Sequence, residues 1–182
     1  MLDSPYQWNT GVDGVVDAYA AMVYRLALTR VRTVPDAEDV FQEVFLRYFE
    51  KERTFENEEH RKAWLIRVTI LCSRKFWSAP FRRRTVPLDE TLPFEMPEES
   101  AVHAALLSLP AKYRTALHLF YFEGFSANEI ATATGSRPAA VRMQLTRGRA
   151  MLREKLKGDY PDEYEEYAGR LGTDETPASS RR

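Results

Sequence analysis

Seven basic side chains and one acidic one, Glu154, fall between Arg137 and Lys157. Guanidinium groups neutralise phosphates through charge and forked N–H donors, and they supply neither a nucleophile nor a general base. At about 100° per residue, Val141, Leu145, Gly148, Leu152 and Leu156 form one apolar helical stripe, with Arg142, Arg149 and Arg153 along its flank. Ala139, Ala140, Met143, Thr146 and Arg147 face away from that stripe. Small methyl-bearing side chains near a helix start suit contact with thymine methyl groups. Arg137, Ala139, Ala140, Arg142, Met143, Thr146, Arg147 and Arg149 are therefore the candidate DNA-contacting set. A solvated basic helix lying on an ordinary core would share this composition.

The residues just before this helix weigh against the plainer alternative. Ser126 is placed to cap a helix, and Glu129, three residues on, is its reciprocal capping-box partner. Ile130 and Ala131 give that helix a small apolar face. Gly135 supplies the left-handed backbone of a sharp stop, and Pro138 suits the first turn of the next helix. The segment from Phe125 to Leu156 thus predicts a helix-turn-helix whose second, basic helix enters the major groove of DNA.

No other chemistry competes with this reading. His60, His103 and His118 fall on separate predicted elements, without a nucleophile motif, metal-ligand spacing or glycine-rich phosphate loop around them. Cys72 is the only cysteine, which excludes an intramolecular disulfide and a cysteine-rich metal site; it sits in an apolar helical pattern and is expected in the core. The reading is of a chain that is not an enzyme, with no catalytic residue, metal, cofactor or small-molecule substrate. No secretory signal is visible at the start, and no stretch approaches the ~20 apolar residues of a membrane span, so a cytoplasmic protein is expected.

The elements that position these residues read as helices. The net charge of −1 conceals alternating blocks. Asp36 to Glu59 holds nine acidic and three basic residues, and His60 to Arg84 holds eight basic and no acidic ones. Asp89 to Glu99 has five carboxylates and no base, and from Gly158 onward acids outnumber bases seven to three. Such blocks suit a protein that touches both DNA and a basic protein surface. Val15 to Val31 places Val16, Tyr19, Met22, Val23, Leu26 and Ala27 at helical spacing. Pro35 is expected to break that helix and Asp36 to cap the next, which turns Val40, Phe41, Val44, Phe45, Tyr48 and Phe49 inward. After a polar loop from Glu52 to Glu59, a third helix over about Arg61 to Trp77 buries Trp64, Leu65, Val68, Leu71, Cys72 and Phe76. Pro110 opens a later helix bearing Tyr113, Leu117, Phe120 and Tyr121, which stops at Gly124.

The expected fold is all-α: two small helical domains joined by an acidic, proline-containing linker, the C-terminal one a helix-turn-helix. The boundaries are an N-terminal tail over 1–14, a helical domain over 15–84, the linker over 85–100, the helix-turn-helix domain over 101–157 and an acidic tail over 158–182, expected to be disordered.

Two separated motifs, in order, carry a resemblance across about residues 15 to 157. The first is DAEDVFQEVFLRYFEK (Asp36 to Lys51) followed by HRKAWLIRVTILCSRKFW (His60 to Trp77). The second is LPAKYRTALHLFYFEGFSANEIA (Leu109 to Ala131) leading into VRMQLTRGRAMLREKL (Val141 to Leu156). Together they resemble bacterial RNA polymerase sigma factors of the sigma-70 family, extracytoplasmic-function (group IV) type.

The resemblance implies a subunit that binds core RNA polymerase and directs promoter-specific initiation by reading the −35 and −10 elements and assisting melting. Asp36, Asp39, Gln42 and Glu43 would dock on the clamp helices of the largest subunit, and the polymerase flap is a further implied contact. The helix-turn-helix would read double-stranded −35 DNA, with Lys112 and Arg114 as secondary phosphate contacts. Phe55, Asn57, Arg61, Lys62, Arg67, Arg74 and Lys75 would capture the melted −10 strand, which needs stacking and cations. Trp64 reads as core, and Trp77 and Phe81 as further basic-aromatic surface. The linker would thread toward the active-site and RNA-exit channels. An anti-sigma factor is a further implied partner. Leu71 departs from the pattern, since many relatives carry Asn there, and as a leucine it fits the buried stripe. The alternative is a stand-alone helix-turn-helix regulator with an N-terminal dimerisation or sensing domain, which would need neither the acidic helix nor the basic aromatic one.

Overall fold

Seven α-helices and one 3-10 turn make up residues 12–51, 53–77, 101–159 and 161, which the computed structural model describes, and no strand occurs among them. The first half contains α1 (Val12–Val31), α2 (Val34–Phe49), α3 (Glu58–Arg74) and the 3-10 turn Lys75–Trp77. The second contains α4 (Ala101–Ser108), α5 (Ala111–Tyr121), α6 (Ala127–Thr134) and α7 (Pro138–Asp159). Residues 1–11, Phe81, the expected linker and nearly all of the acidic tail lie outside the described residues.

Helix α1 buries Tyr19, Met22, Val23, Leu26 and Ala27, as their spacing predicts. Its stop differs from expectation. Arg32 takes a left-handed φ of 67° and its N–H donates to the Leu28 carbonyl at 2.8 Å, so the turn precedes Pro35. Pro35 sits inside the first turn of α2, where no intrahelical partner for its missing N–H is lost. Thr33, not Asp36, is the N-cap residue, and its hydroxyl donates to Asp36 Oδ2 at 2.8 Å. Helix α3 also starts earlier than predicted, because Asn57 caps it by accepting the His60 N–H at 2.8 Å.

Along α3, Leu65, Val68 and Cys72 are buried and Trp64 is half-buried, as is Phe76 in the 3-10 turn that follows. Leu71 is a correction: it is 44% exposed. It lies one residue, about 100°, before Cys72, so the helices that cover Cys72 leave it in solvent. Phe49 at the end of α2 is likewise exposed rather than inward.

In the second half, α7 lies across α4, α5 and α6. Its Val141, Leu145, Gly148, Leu152 and Leu156 are buried, the stripe that the spacing predicts. Gly148 permits the close approach of α5: a Cβ there would lie 3.1 Å from Leu117 Cδ1 and 3.4 Å from Tyr113 Cβ.

The two halves share one apolar cluster. Helix α1 lies against α5, and α3 lies against α6. None of the described helices is long and apolar enough to cross a membrane.

Candidate nucleic-acid interface

The local grammar of the helix-turn-helix is realised at each punctuation point. Ser126 Oγ accepts the Glu129 N–H at 3.3 Å, and Glu129 Oε2 accepts the Ser126 N–H at 2.7 Å, which closes the capping box. Gly135 terminates α6 at φ 67°, and the Ser136 N–H donates back to the Ala131 carbonyl at 2.9 Å. Helix α7 begins at Pro138.

This geometry presents Arg137, Ala139, Arg142, Met143, Thr146 and Arg147 to solvent, with Ala140 half-buried. Met143 is 50% exposed, so its thioether stands on the outward row of α7. Arg149 does not join this surface. It is 8% exposed, since the flank of the stripe on which it lies is covered by the rest of the half.

Arg114 is a second correction. Expected as a phosphate contact, it is 1% exposed and donates to the carbonyls of Leu109 at 2.8 Å and Leu107 at 3.2 Å, and through Nη2 to that of Arg30 at 2.6 Å. Burial and the neighbouring guanidiniums of Arg32 and Arg30 push it down to about 9. A guanidinium spent on carbonyls inside the fold has no fork left for DNA. Lys112 stays exposed, its ammonium 4.8 Å from the Tyr113 ring. Lys112 and then Arg147 draw the Tyr113 phenol below its ordinary pKa. Tyr113, one of the aromatics the sequence places on this helix, is half-buried and joins α5 to the exposed row of α7.

The melted-strand candidates do not form one cluster. Phe55 stacks on Tyr48 at 5.9 Å, meets Trp64 edge-on at 6.1 Å and carries the Arg61 guanidinium 5.6 Å from its centroid. Arg53 lies over Trp64 at 4.5 Å. Aromatic faces backed by guanidiniums are the components of a base-stacking platform. Tyr48 and Trp64 are half-buried and pack against the apolar cluster, as the sequence predicts, and with Arg53 they form the open edge of this group. Asn57 is exposed, but its side-chain oxygen is engaged as the α3 cap. Lys62 is exposed, and Arg67, further round the helix, donates to the Thr132 carbonyl of α6 at 3.0 Å. Arg74 and Lys75 are exposed at the far end, roughly 20 Å from Arg61 at 1.5 Å per residue.

On α2, Asp39 and Gln42 are exposed and Asp36 is half-buried beside Thr33. Glu43 bridges Lys75 at 2.9 Å and Arg47 at 2.7 Å. The Lys75 hydrogen bond, opposed by burial and helped by Arg47, holds its carboxyl below the usual range. Leu46, one turn along the same face, is 63% exposed. The helix therefore shows an exposed acidic row with Leu46 at its centre. Sequence reading did not single out Leu46.

Of the three histidines, His60 is exposed, and His103 and His118 are buried in the second half.

Residues 15–79 match the family model described as Sigma-70 region 2, and residues 99–152 match the one described as Sigma-70, region 4. The chain is 30% identical over 139 residues to RNA polymerase sigma factor SigV of Bacillus subtilis, covering 73% of this chain and 83% of that one. It is 32% identical over 157 residues to ECF RNA polymerase sigma factor SigE of Mycolicibacterium smegmatis, covering 79% of this chain and 61% of that longer relative. Among solved structures, the sigma factor RpoE of Bartonella quintana, crystallised with the anti-sigma factor NepR, has the same fold, with a TM-score of 0.63 at 21% identity over 81% of this chain and 97% of that one.

Proposed function

The chain belongs to the sigma-70 family of RNA polymerase sigma factors, as a member of the extracytoplasmic-function type, and from that membership we propose how its surfaces divide the work. It binds core RNA polymerase and directs promoter-specific initiation. The exposed row of α7, with Lys112 and Tyr113 beside it, reads the −35 element as duplex. Arginines anchor the phosphates, and Ala139, Ala140 and Met143 meet base edges. Phe55, Tyr48 and Trp64, backed by Arg53 and Arg61, hold the opened −10 strand by stacking, with Lys62, Arg67, Arg74 and Lys75 following its backbone. Asp39, Gln42 and Glu43 around Leu46 dock on the clamp helices, and the flap contacts the second half. Asp36 supports that face from its place beside Thr33. The chain performs no catalytic step of its own, and its site is cytoplasmic, where the polymerase works. An anti-sigma factor is a further proposed partner, in line with the company in which RpoE was crystallised.

The observation that carries this reading is the coexistence, in one chain, of an acidic helix with an exposed apolar centre and a capped, basic helix-turn-helix. A stand-alone regulator has no use for the first of these. Run-off transcription with reconstituted holoenzyme on genomic fragments tests the proposal. Discrete transcripts absent with core polymerase alone are expected, and failure of the chain to associate with core polymerase would sink it.

A further inference from the structure

Opposite its buried stripe, α7 carries a narrow line of side chains that offers no spare hydrogen-bond donor. Ala139, Met143 and Thr146 follow one another at spacings of four and three residues, within about 60° of arc, and all three are exposed. Ala139 has no polar side-chain atom. Met143, 50% exposed, presents a thioether and its methyl. Thr146 spends its hydroxyl proton inside the helix, donating from Oγ1 to the Arg142 carbonyl at 3.0 Å. From Ala139 to Thr146 the line is about 10 Å long at 1.5 Å per residue, the rise of about three base pairs.

The polar groups of this face stand to its sides. Arg142 and Arg147, both exposed, flank the line on opposite edges. Arg147 also hydrogen-bonds the phenol of Tyr113, beside Lys112, which draws its guanidinium toward α5. Gln144 lies one residue, about 100°, from Met143 and is half-buried. Cations at both edges of an apolar line fit the two phosphate rails that border a groove, with base edges between them.

We propose that this line recognises the C5-methyl groups of pyrimidines, so that the −35 element is chosen by a short run of thymines and 5-methylcytosine stands in for thymine there. The proposal rests on the reading in which α7 enters the major groove, and it adds the chemical group that the helix selects. On the major-groove edge adenine, guanine and cytosine offer hydrogen-bonding groups, whereas thymine adds a methyl. An apolar side chain pressed on a bare donor or acceptor removes its water and returns no partner. Ala139 and Met143 therefore discriminate against those edges as well as in favour of thymine. The C5 of cytosine occupies the same place as that of thymine, and methylation gives it the same group.

The test uses the full chain reconstituted with core RNA polymerase, on promoter fragments recovered by run-off transcription. Each fragment is resynthesised with deoxyuridine for thymidine in the −35 segment alone, which removes C5-methyl groups and leaves charge and base pairing intact. A buried methyl is worth about fourfold in affinity, so two or three of them give a loss of about fifteen- to sixtyfold. Met143→Leu should keep that sensitivity. Met143→Ala should shrink the thymidine-to-deoxyuridine ratio about fourfold, with the salt dependence unchanged because no charge is removed. Replacing T·A pairs of the segment by C·G should weaken binding, and methylating those cytosines at C5 should recover about fourfold per methyl.

Equal affinity for the thymidine and deoxyuridine duplexes would overturn the proposal, as would a ratio that Met143→Ala leaves intact. If binding is then still lost in the Arg142→Ala, Arg147→Ala double variant, α7 lies in the groove and only the methyl reading fails. A double variant that binds both duplexes as well as wild type overturns both, because it removes α7 from the groove.

Discussion

Arg25 on α1 and Glu123, just beyond α5, are 98 positions apart in sequence and joined by a bidentate ion pair, Nε to Oε1 and Nη2 to Oε2, each at 2.9 Å. His118 Nε2 lies 3.3 Å from the same carboxylate oxygen, Oε1. The pair ties the first helix of one half to the turn that leads into the helix-turn-helix of the other.

Acid should loosen that tie. Burial alone would raise the Glu123 pKa, but His118 and Arg25 outweigh it and leave the carboxyl below its ordinary value. A depressed folded-state pKa contributes stability that is present above the ordinary carboxylate value and lost as pH falls through the folded one. The packing of the two halves should thus hold at neutral pH and weaken below about pH 4. Scattering measured down a pH series should show expansion there, and Glu123→Gln should remove the part of the change that belongs to this group.

Gly148→Ala should destabilise the second half. Alanine favours a helix over glycine by about 1 kcal/mol. Here its Cβ would lie 3.1 Å and 3.2 Å from Leu117 Cδ1 and Cγ, and Leu117 is itself buried and unable to yield freely. Overpacking of this kind costs about 1–3 kcal/mol, so a net loss of about 1 kcal/mol is expected in denaturant unfolding. Gly158→Ala, with nothing within 4 Å of the new carbon, is the matched control and should be neutral or stabilising.

Arg142→Ala and Arg147→Ala should weaken −35 binding without touching the fold, since both side chains are exposed. Removing each phosphate-anchoring arginine should flatten the log–log salt dependence of DNA affinity by about one unit. The double variant should lose promoter-specific transcripts while still binding core polymerase. Arg114→Ala should behave differently and lower the melting temperature, because it strips buried carbonyls of their donor.

Leu46→Asp should separate docking from folding. With 63% of its surface in water, Leu46 contributes little to stability, so the melting curve should stay within about 0.5 kcal/mol of wild type. A desolvated apolar centre carries a disproportionate share of binding energy, so core polymerase affinity should fall at least about tenfold. Equal affinity in a competition pull-down would remove α2 from the docking surface.

What the sequence by itself determined is what short-range physics governs. Ser126, Glu129, Gly135 and Pro138 act within a few residues of themselves, and the helix-turn-helix they predict is the one observed. The stripe from Val141 to Leu156 follows from helical periodicity alone. Where expectation and structure part, a neighbour from elsewhere in the chain decided the outcome. Arg149 looks like a DNA contact on a helical wheel and Arg114 by family resemblance, but the helices that cover their flanks come from other segments. Leu71 fits a core stripe and yet, like Leu46, stands in water, because no helix among the described residues covers those sides. Tyr48 and Trp64 pack against the core as their spacing predicts, yet keep one aromatic edge open for the same reason. The Arg25–Glu123 pair carries no signal at any local spacing. A side chain's spacing sets the angle at which it leaves its helix, but only the packed fold decides whether protein or solvent waits there.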